Sequence, residues 1–184
     1  MTDFREIFDS KMSRVIQYKD KELFLEDFFP VKDGDVLSVS IESTNSEFKQ
    51  GLYVNITGHC EIDGNKHKKG KGIRSLYWED TCPKESLIKV FTKKGFVKIA
   101  NIWESTTKYL LNDENNKPFW KENKSLDYGH WGSAMIVEPI EGGRRYRCND
   151  RHPDEDFDDI IFTVKNLTSP DIMDKKFDMA FGQG

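Results

Sequence analysis

Phe4, Ile7, Phe8, Met12 and Val15 recur at intervals of three and four. That spacing lines one face of a helix, and Asp3 with Glu6 supplies a capping pair, so a short amphipathic helix is predicted at the start of the chain. The next stretch, SRVIQYKDKELFLEDFF, fits two periods equally. It reads either as more helix or as a hairpin turning at Lys19-Asp20-Lys21.

From Asp35 the pattern shortens to that of strands. DVLSVSIES, GLYVNITGHCEI, IRSLYWE, LIKVFTK, GFVKIANIWE, SAMIVEPIE, RRYRC and DIIFTVKN are brief and rich in β-branched and aromatic residues, which suit a half-buried pleated surface. Turn chemistry separates several of them, at Asp33-Gly34, Asp63-Gly64-Asn65, Lys94-Gly95 and Gly142-Gly143. No long amphipathic helices alternate with these strands, so a parallel α/β sheet is disfavoured. The predicted class is all-β, an antiparallel β-sandwich of jelly-roll type with short helical appendages at both ends. In domain terms, residues 1–32 form an N-terminal appendage, 33–167 the sandwich and 168–184 a tail. Ser169 stands as N-cap and Pro170 as first residue of a short terminal helix with a frayed end. The polar and aromatic stretch from Ser105 to Gly132 shows little period and reads as a long surface connection.

Composition narrows the function. The 184 residues are 33% charged with a net charge of -4, so no global attraction draws the chain to nucleic acid or an anionic membrane. No window is apolar enough for a membrane span, and MTDFREIFDSKMSR lacks the apolar core of a secretory signal. The expectation is a soluble protein, cytoplasmic as synthesised, with non-classical release left open. Cys60, Cys82 and Cys148 are odd in number and form no CxxC, which predicts buried free thiols instead of a disulfide framework or zinc site.

The densest chemistry lies in NDRHPDEDFDDIIFTVK, residues 149–165. Asp150, Asp154, Glu155, Asp156, Asp158 and Asp159 place six carboxylates within ten residues, directly before an apolar strand. Two unit charges ~4 Å apart repel by ~1 kcal/mol even in bulk water, and by more beside a low-dielectric core. Calcium takes six to eight oxygen ligands, several of them carboxylates. Asp154, Asp156 and Asp158 alternate, so an extended chain projects them from one side at ~6.6–6.8 Å intervals, and a modest bend brings their oxygens around one ion. An EF-hand is excluded, because it requires Gly and Glu where this chain has Asp159 and Lys165. A phosphatase motif of the haloacid dehalogenase type is excluded too, because its aspartates follow an apolar strand. The remaining alternatives are a metal loop and a solvated acidic loop.

The run D-RHP-D-E-D-F-D-D-IIFTV resembles the calcium loop of the soluble bacterial fucose- and mannose-binding lectins. There an acid is followed four residues later by D-x-D, an aromatic, Asn or Asp, a further Asp and a β-branched strand. A weaker likeness covers LSVSIESTNSEFKQGLYVNITG, similar to the family's early strand, Asn-bearing turn and strand. The resemblance implies that Asp150, Asp154, Asp156 and Asp159 ligate one calcium. It implies that Asp156, Asp158 and Asp159, with Asn45, ligate a second. In those lectins the calcium pair coordinates sugar hydroxyls directly. Two departures stand out: Arg151-His152-Pro153 replaces the family's Gly-rich portion, and the chain runs on past Ser169, near which the family's terminal carboxylate falls.

The expectation is thus a calcium-binding, lectin-like module recognising carbohydrate, not an enzyme, with self-association open. Trp120, Tyr128 and Trp131 lie in the polar connection, where flat rings suit pyranose faces, and His152 lies inside the acidic run. Two alternatives remain. Calcium could merely staple a loop, as in adhesin or inclusion-type sandwiches, or Asp154, Asp156 and Asp159 could serve a magnesium-dependent hydrolase assisted by Lys165. The basic stretch NKHKKGKGIR has no interleaved aromatic pair to stack on bases and reads as a solvated hairpin tip. His59, His67 and His130 are scattered, and Ser133 lies in no nucleophile elbow.

Overall fold

Asp3 accepts a hydrogen bond from the Glu6 backbone N–H at 3.2 Å and starts helix α1 (Phe4–Lys11), which buries Phe4 and Phe8 and ends at Met12 in the left-handed conformation. The ambiguous stretch that follows is a hairpin, β1 (Val15–Tyr18) and β2 (Lys21–Phe24), and β3 (Asp27–Pro30) is buried along its whole length. The computed structural model describes residues 2–152 and 154–184. The remaining strands are β4 (Val36–Thr44), β5 (Lys49–Ile56), β6 (Gly58–Ile62), β7 (Asn65–His67), β8 (Ile73–Trp78), β9 (Ser86–Thr92), β10 (Phe96–Asn112), β11 (Pro118–Asp127), β12 (Ala134–Ile140), β13 (Gly143–Asn149) and β14 (Ile160–Asn166).

Among the described residues the strands form two antiparallel sheets. One runs β1-β2-β12-β13-β14-β4-β9-β6-β7; the other runs β11-β10-β5-β8, with β3 also paired to β10. Their inner faces meet in a core holding Leu37, Val39, Ile88, Val90, Tyr146 and Phe162 from the first sheet and Leu52, Val54, Val97, Ile99 and Ile102 from the second. This is the all-β antiparallel sandwich the strand pattern predicts. The three thiols are free, with Cys60 and Cys148 buried. No helix of the described residues is long and apolar enough to cross a membrane.

Four local differences from the sequence reading have physical causes. GLYVNITGHCEI is two strands in different sheets, β5 and β6. The break falls at Thr57, just before Gly58, whose φ of +146° and close approach to Phe91, where a Cβ would lie 2.0 Å from the carbonyl oxygen, leave room for no side chain. The N-terminal residues are not simply appended: β2 pairs with β12 at Phe24↔Met135, and β3 pairs with β10. The terminal segment is not frayed. Its 3₁₀ turn, Pro170–Ile172, lacks a side-chain cap because the Ser169 hydroxyl donates instead to buried Asp35 at 2.8 Å. Farther on, Arg14 N–H donates to Met179 O and Phe181 N–H to Met12 O, both at 2.8 Å, so the tail is pinned to the chain's beginning.

The fourth difference is the largest. Ser105–Gly132 is not a loop for most of its length. β10 continues to Asn112 and pairs with β11 through ten residues, Trp103↔Asp127 to Asn112↔Pro118. Every residue from 106 to 125 is exposed, so the hairpin stands off the body as a ribbon.

Candidate metal centre

The acidic loop bridges β13 and β14, whose buried ends hold Asn149 and Ile160 in the core. Within it, Glu155 and Phe157 adopt left-handed backbone, φ +59° and +55°. Such turns cost a residue with a Cβ roughly 1–2 kcal/mol each, so surrounding contacts must enforce them. Phe157 is 2% exposed and packs with Phe4, Phe8, Ile16 and Leu23 in a second small core, while its N–H donates to Asn149 Oδ1 at 2.7 Å. Glu155 accepts from the Tyr18 hydroxyl at 2.8 Å and from Lys19 at 2.9 Å. Helix α1 and the β1–β2 hairpin therefore brace the loop.

Asp154, Asp156 and Asp159 each offer one carboxylate oxygen, and the three lie within 4.8 Å of one another. Oxygens ~2.4 Å from one calcium can stand at most ~4.8 Å apart, a bound that this spacing meets. Asp154 and Asp156 are exposed, and Asp159 is buried.

The other predicted ligands are nearby but differently used. Asp150 is fully buried and its carboxylate is already bonded: Oδ2 accepts from Ser46 Oγ at 2.5 Å and Gln50 Nε2 at 3.0 Å, and Oδ1 from the His152 N–H at 2.8 Å. Asp158 Oδ2 accepts from Asn45 Nδ2 at 3.1 Å, while its Oδ1 is buried without a partner among the described residues. The Asn45 N–H donates to Asp159 O at 3.0 Å, so the early turn does sit on the loop. Ser46 and Gln50 could not have been singled out from sequence, because single polar residues far along the chain carry no local signal.

Charge at the loop is unbalanced. Of the cations nearby, Lys19 pairs with Glu155 and, when protonated, His152 with Glu47 at 2.7 Å, while the Arg151 guanidinium lies over the Phe48 and Trp131 rings. Among the described residues no Lys, Arg or His pairs with Asp150, Asp154, Asp156, Asp158 or Asp159. Burial pushes the Asp159 carboxyl up to about 7, with Asp150, Asp154 and Asp156 adding in the same direction and the Asp150 N–H opposing. Asp156 is raised as well, by burial first and by Asp154 next.

Two of the four predicted ligand-binding side chains border the loop. His152 stacks on Phe48 with ring centres 5.3 Å apart. Trp131, 52% exposed, lies under the Arg151 guanidinium at 4.5 Å, and a Cβ at Gly132 beside it would lie 2.8 Å from the His152 carbonyl oxygen and 3.0 Å from that of Arg151. Tyr128 packs edge-on to Tyr53 and under Arg74, and no contact ties it to the acids. Trp120 is elsewhere: its partner Leu110 lies seven residues along β10 from Trp103, which puts it ~23 Å out along the ribbon. A cavity of about 770 Å³ between β2, β12 and the tail, and another of about 560 Å³ around His59 and Phe91, contain none of the acids.

Fold and loop together define a class: an antiparallel β-sandwich with a braced acidic loop in which three carboxylates lie close enough to hold a metal ion. No protein-family model matches the chain, and comparison with curated proteins and with solved structures gives no match.

Proposed function

We propose that Asp154, Asp156 and Asp159 form a calcium site and that the chain is a lectin-like binding module for carbohydrate. The observation that carries the metal is the convergence of three carboxylates, their oxygens within 4.8 Å of one another, with no cationic side chain among the described residues paired to them. Such repulsion is relieved by a divalent ion, and Asp158 Oδ1, buried without a partner among the described residues, is a further acceptor in the same loop. The carbohydrate step rests on exposure. Asp154 and Asp156 face solvent and leave coordination positions open, and Trp131 and His152 offer flat surfaces at the same border.

A second reading is favoured by the described cavities, neither of which takes in the acids: calcium staples the β13–β14 connection and recognises nothing. The two separate cleanly. Calorimetry with calcium tests the site; a glycan array with and without chelator tests the sugar. Heat with calcium in the wild type but not in Asp156→Asn, together with calcium-dependent glycan retention, supports the lectin reading. Calcium binding with no retained glycan leaves the staple, and no calcium binding refutes both.

A further inference from the structure

We propose that the β10–β11 ribbon is a self-association surface, in which the free edge of β10 from Ser105 to Asn112 pairs antiparallel with the same edge of a second copy of this chain. This inference is independent of the calcium site.

The pairing pattern identifies the free edge. β5 and β11 both pair with Trp103 and Glu104 and so flank β10 on opposite sides, and β5 ends at the pair Glu104↔Lys49. Beyond that point the β5 side of β10 has no strand against it among the described residues. An isolated two-stranded hairpin is marginal in water, and a long unpaired edge is a template for another strand. The two outer edges of the ribbon differ in kind. β11 carries Pro118, Lys121, Glu122 and Lys124, which discourage pairing, whereas Thr106-Thr107-Lys108-Tyr109-Leu110-Leu111 has one charge, no Pro and no Gly.

Chemistry selects a second copy as the occupant. A twofold axis normal to the sheet sets one residue opposite itself. Centring it on Lys108 would oppose two ammonium groups, but centring it on Tyr109 puts Lys108 opposite Leu110 and Thr107 opposite Leu111. Tyr109, Leu111 and Phe119 share one ribbon face, because Leu111 is registered with Phe119 and Tyr109 lies two residues away. The dimer therefore gathers six apolar side chains on one face of a four-stranded sheet. The ribbon is close to neutral, with Lys108, Lys117, Lys121 and Lys124 against Asp113, Glu114 and Glu122, so the copies do not repel.

Area agrees with a modest interface. Tyr109, Leu110, Leu111, Phe119 and Trp120 are 37%, 54%, 39%, 44% and 69% exposed. Taking 150–250 Å² for each aromatic ring, they present on the order of 500 Å². They are divided between the two ribbon faces, Tyr109, Leu111 and Phe119 on one and the registered pair Leu110 and Trp120 on the other, and even together fall below the roughly 800 Å² that each partner contributes to a standard interface. The expected dimer dissociates on dilution.

Sedimentation velocity of the full chain across a broad concentration range, with and without calcium, is the first measurement; a monomer–dimer equilibrium present in both conditions is expected. Leu111→Lys, at an exposed position, is expected to shift it to monomer without lowering the melting temperature. In a Cys82→Ser background, Tyr109→Cys is expected to form a disulfide dimer under mild oxidation, because directly opposed residues have Cα atoms ~4.5–5.5 Å apart. Lys121→Cys, two strands farther from its copy, is expected not to. A monomer at every concentration overturns the inference, as does a dimer indifferent to Leu111→Lys or Tyr109→Cys linking no faster than Lys121→Cys.

Discussion

The Asp150 backbone N–H donates to Asp159 Oδ2 at 2.7 Å and clamps together the two ends of the acidic loop. An amide oxygen can also accept that bond, though less strongly than an ionised carboxylate, so Asp159→Asn keeps the clamp while removing one of the converging charges. Without calcium the variant is expected to melt above the wild type near neutral pH. With calcium the order reverses, since only the wild type gains from the ion; a ligand at a hundredfold its dissociation constant adds about 2.7 kcal/mol. Thermal melts in chelator and in calcium check both halves. A variant less stable than wild type in chelator would show that the charge is not a strain.

The same residue sets a pH dependence. Its folded value of about 7 lies above the ~3.9 of an unfolded Asp, so between these values the folded chain holds the extra proton. Stability from this group is full below about pH 4 and is lost as pH rises through about 7, at roughly 1.4 kcal/mol for each unit separating the two values. Asp150, Asp154 and Asp156 face it and add to the effect. Glu155 and Asp33, lowered by their bonds to Lys19 and Lys93, act in the opposite sense at lower pH. Subtracting the Asp159→Asn profile isolates the Asp159 contribution. Urea denaturation in chelator is expected to show the wild type losing ground to the variant as pH rises from about 5 to 7.5; parallel profiles would remove the titration.

Phe4 and Phe157, 6.3 Å apart between ring centres, join the N-terminal helix to the loop. Phe4→Ala opens a cavity in the small core and is expected to cost about 3–5 kcal/mol. Part of that cost should appear at the metal, because Phe157 then loses a contact that enforces its left-handed turn. Calorimetry is expected to show weaker calcium binding than in a variant of equal destabilisation in the main core, such as Val90→Ala. Equal affinities would mean that the loop keeps its shape unaided.

Much of this organisation was legible before the fold was known. Wherever one face of a strand is buried, alternation and β-branched side chains marked it, as in Val36–Thr44 and Ile160–Asn166. The ribbon was not legible for the complementary reason. Both its faces meet solvent, so Thr106–Ser125 has no alternation to read, and its turn uses Asn116 at φ +60° in place of a glycine. Acidic density marks Asp154, Asp156 and Asp159 together with Asp150, Glu155 and Asp158, and the likeness to a lectin turn points to Asn45. Neither could separate Asp150 from the three that converge. That distinction depends on Ser46 and Gln50, which reach Asp150 from about a hundred positions away. The left-handed turns at Glu155 and Phe157 were equally hidden, since neither residue type favours them.

Away from the loop, Arg144 Nη1 bonds both oxygens of buried Asp27, at 3.0 and 2.9 Å, and the Phe28 carbonyl at 3.0 Å. Its Nη2 reaches the Met173 carbonyl at 3.1 Å. The Tyr146 hydroxyl completes the group by donating to Asp27 at 2.7 Å. This network joins β3, β13 and the terminal segment at one wall of the larger cavity, with Asp27 buried and Arg144 mostly so. Removing one charge of a buried pair strands the other and typically costs about 3–5 kcal/mol, whereas losing one hydrogen bond costs about 1–3 kcal/mol. Arg144→Met is therefore expected to destabilise more than Tyr146→Phe. Combining Arg144→Met with Asp27→Leu should cost less than Arg144→Met alone, because no charge is then left unpaired. Urea denaturation of the four proteins orders these values. An additive double variant would mean that the guanidinium is held by the Phe28 and Met173 carbonyls and owes little to Asp27.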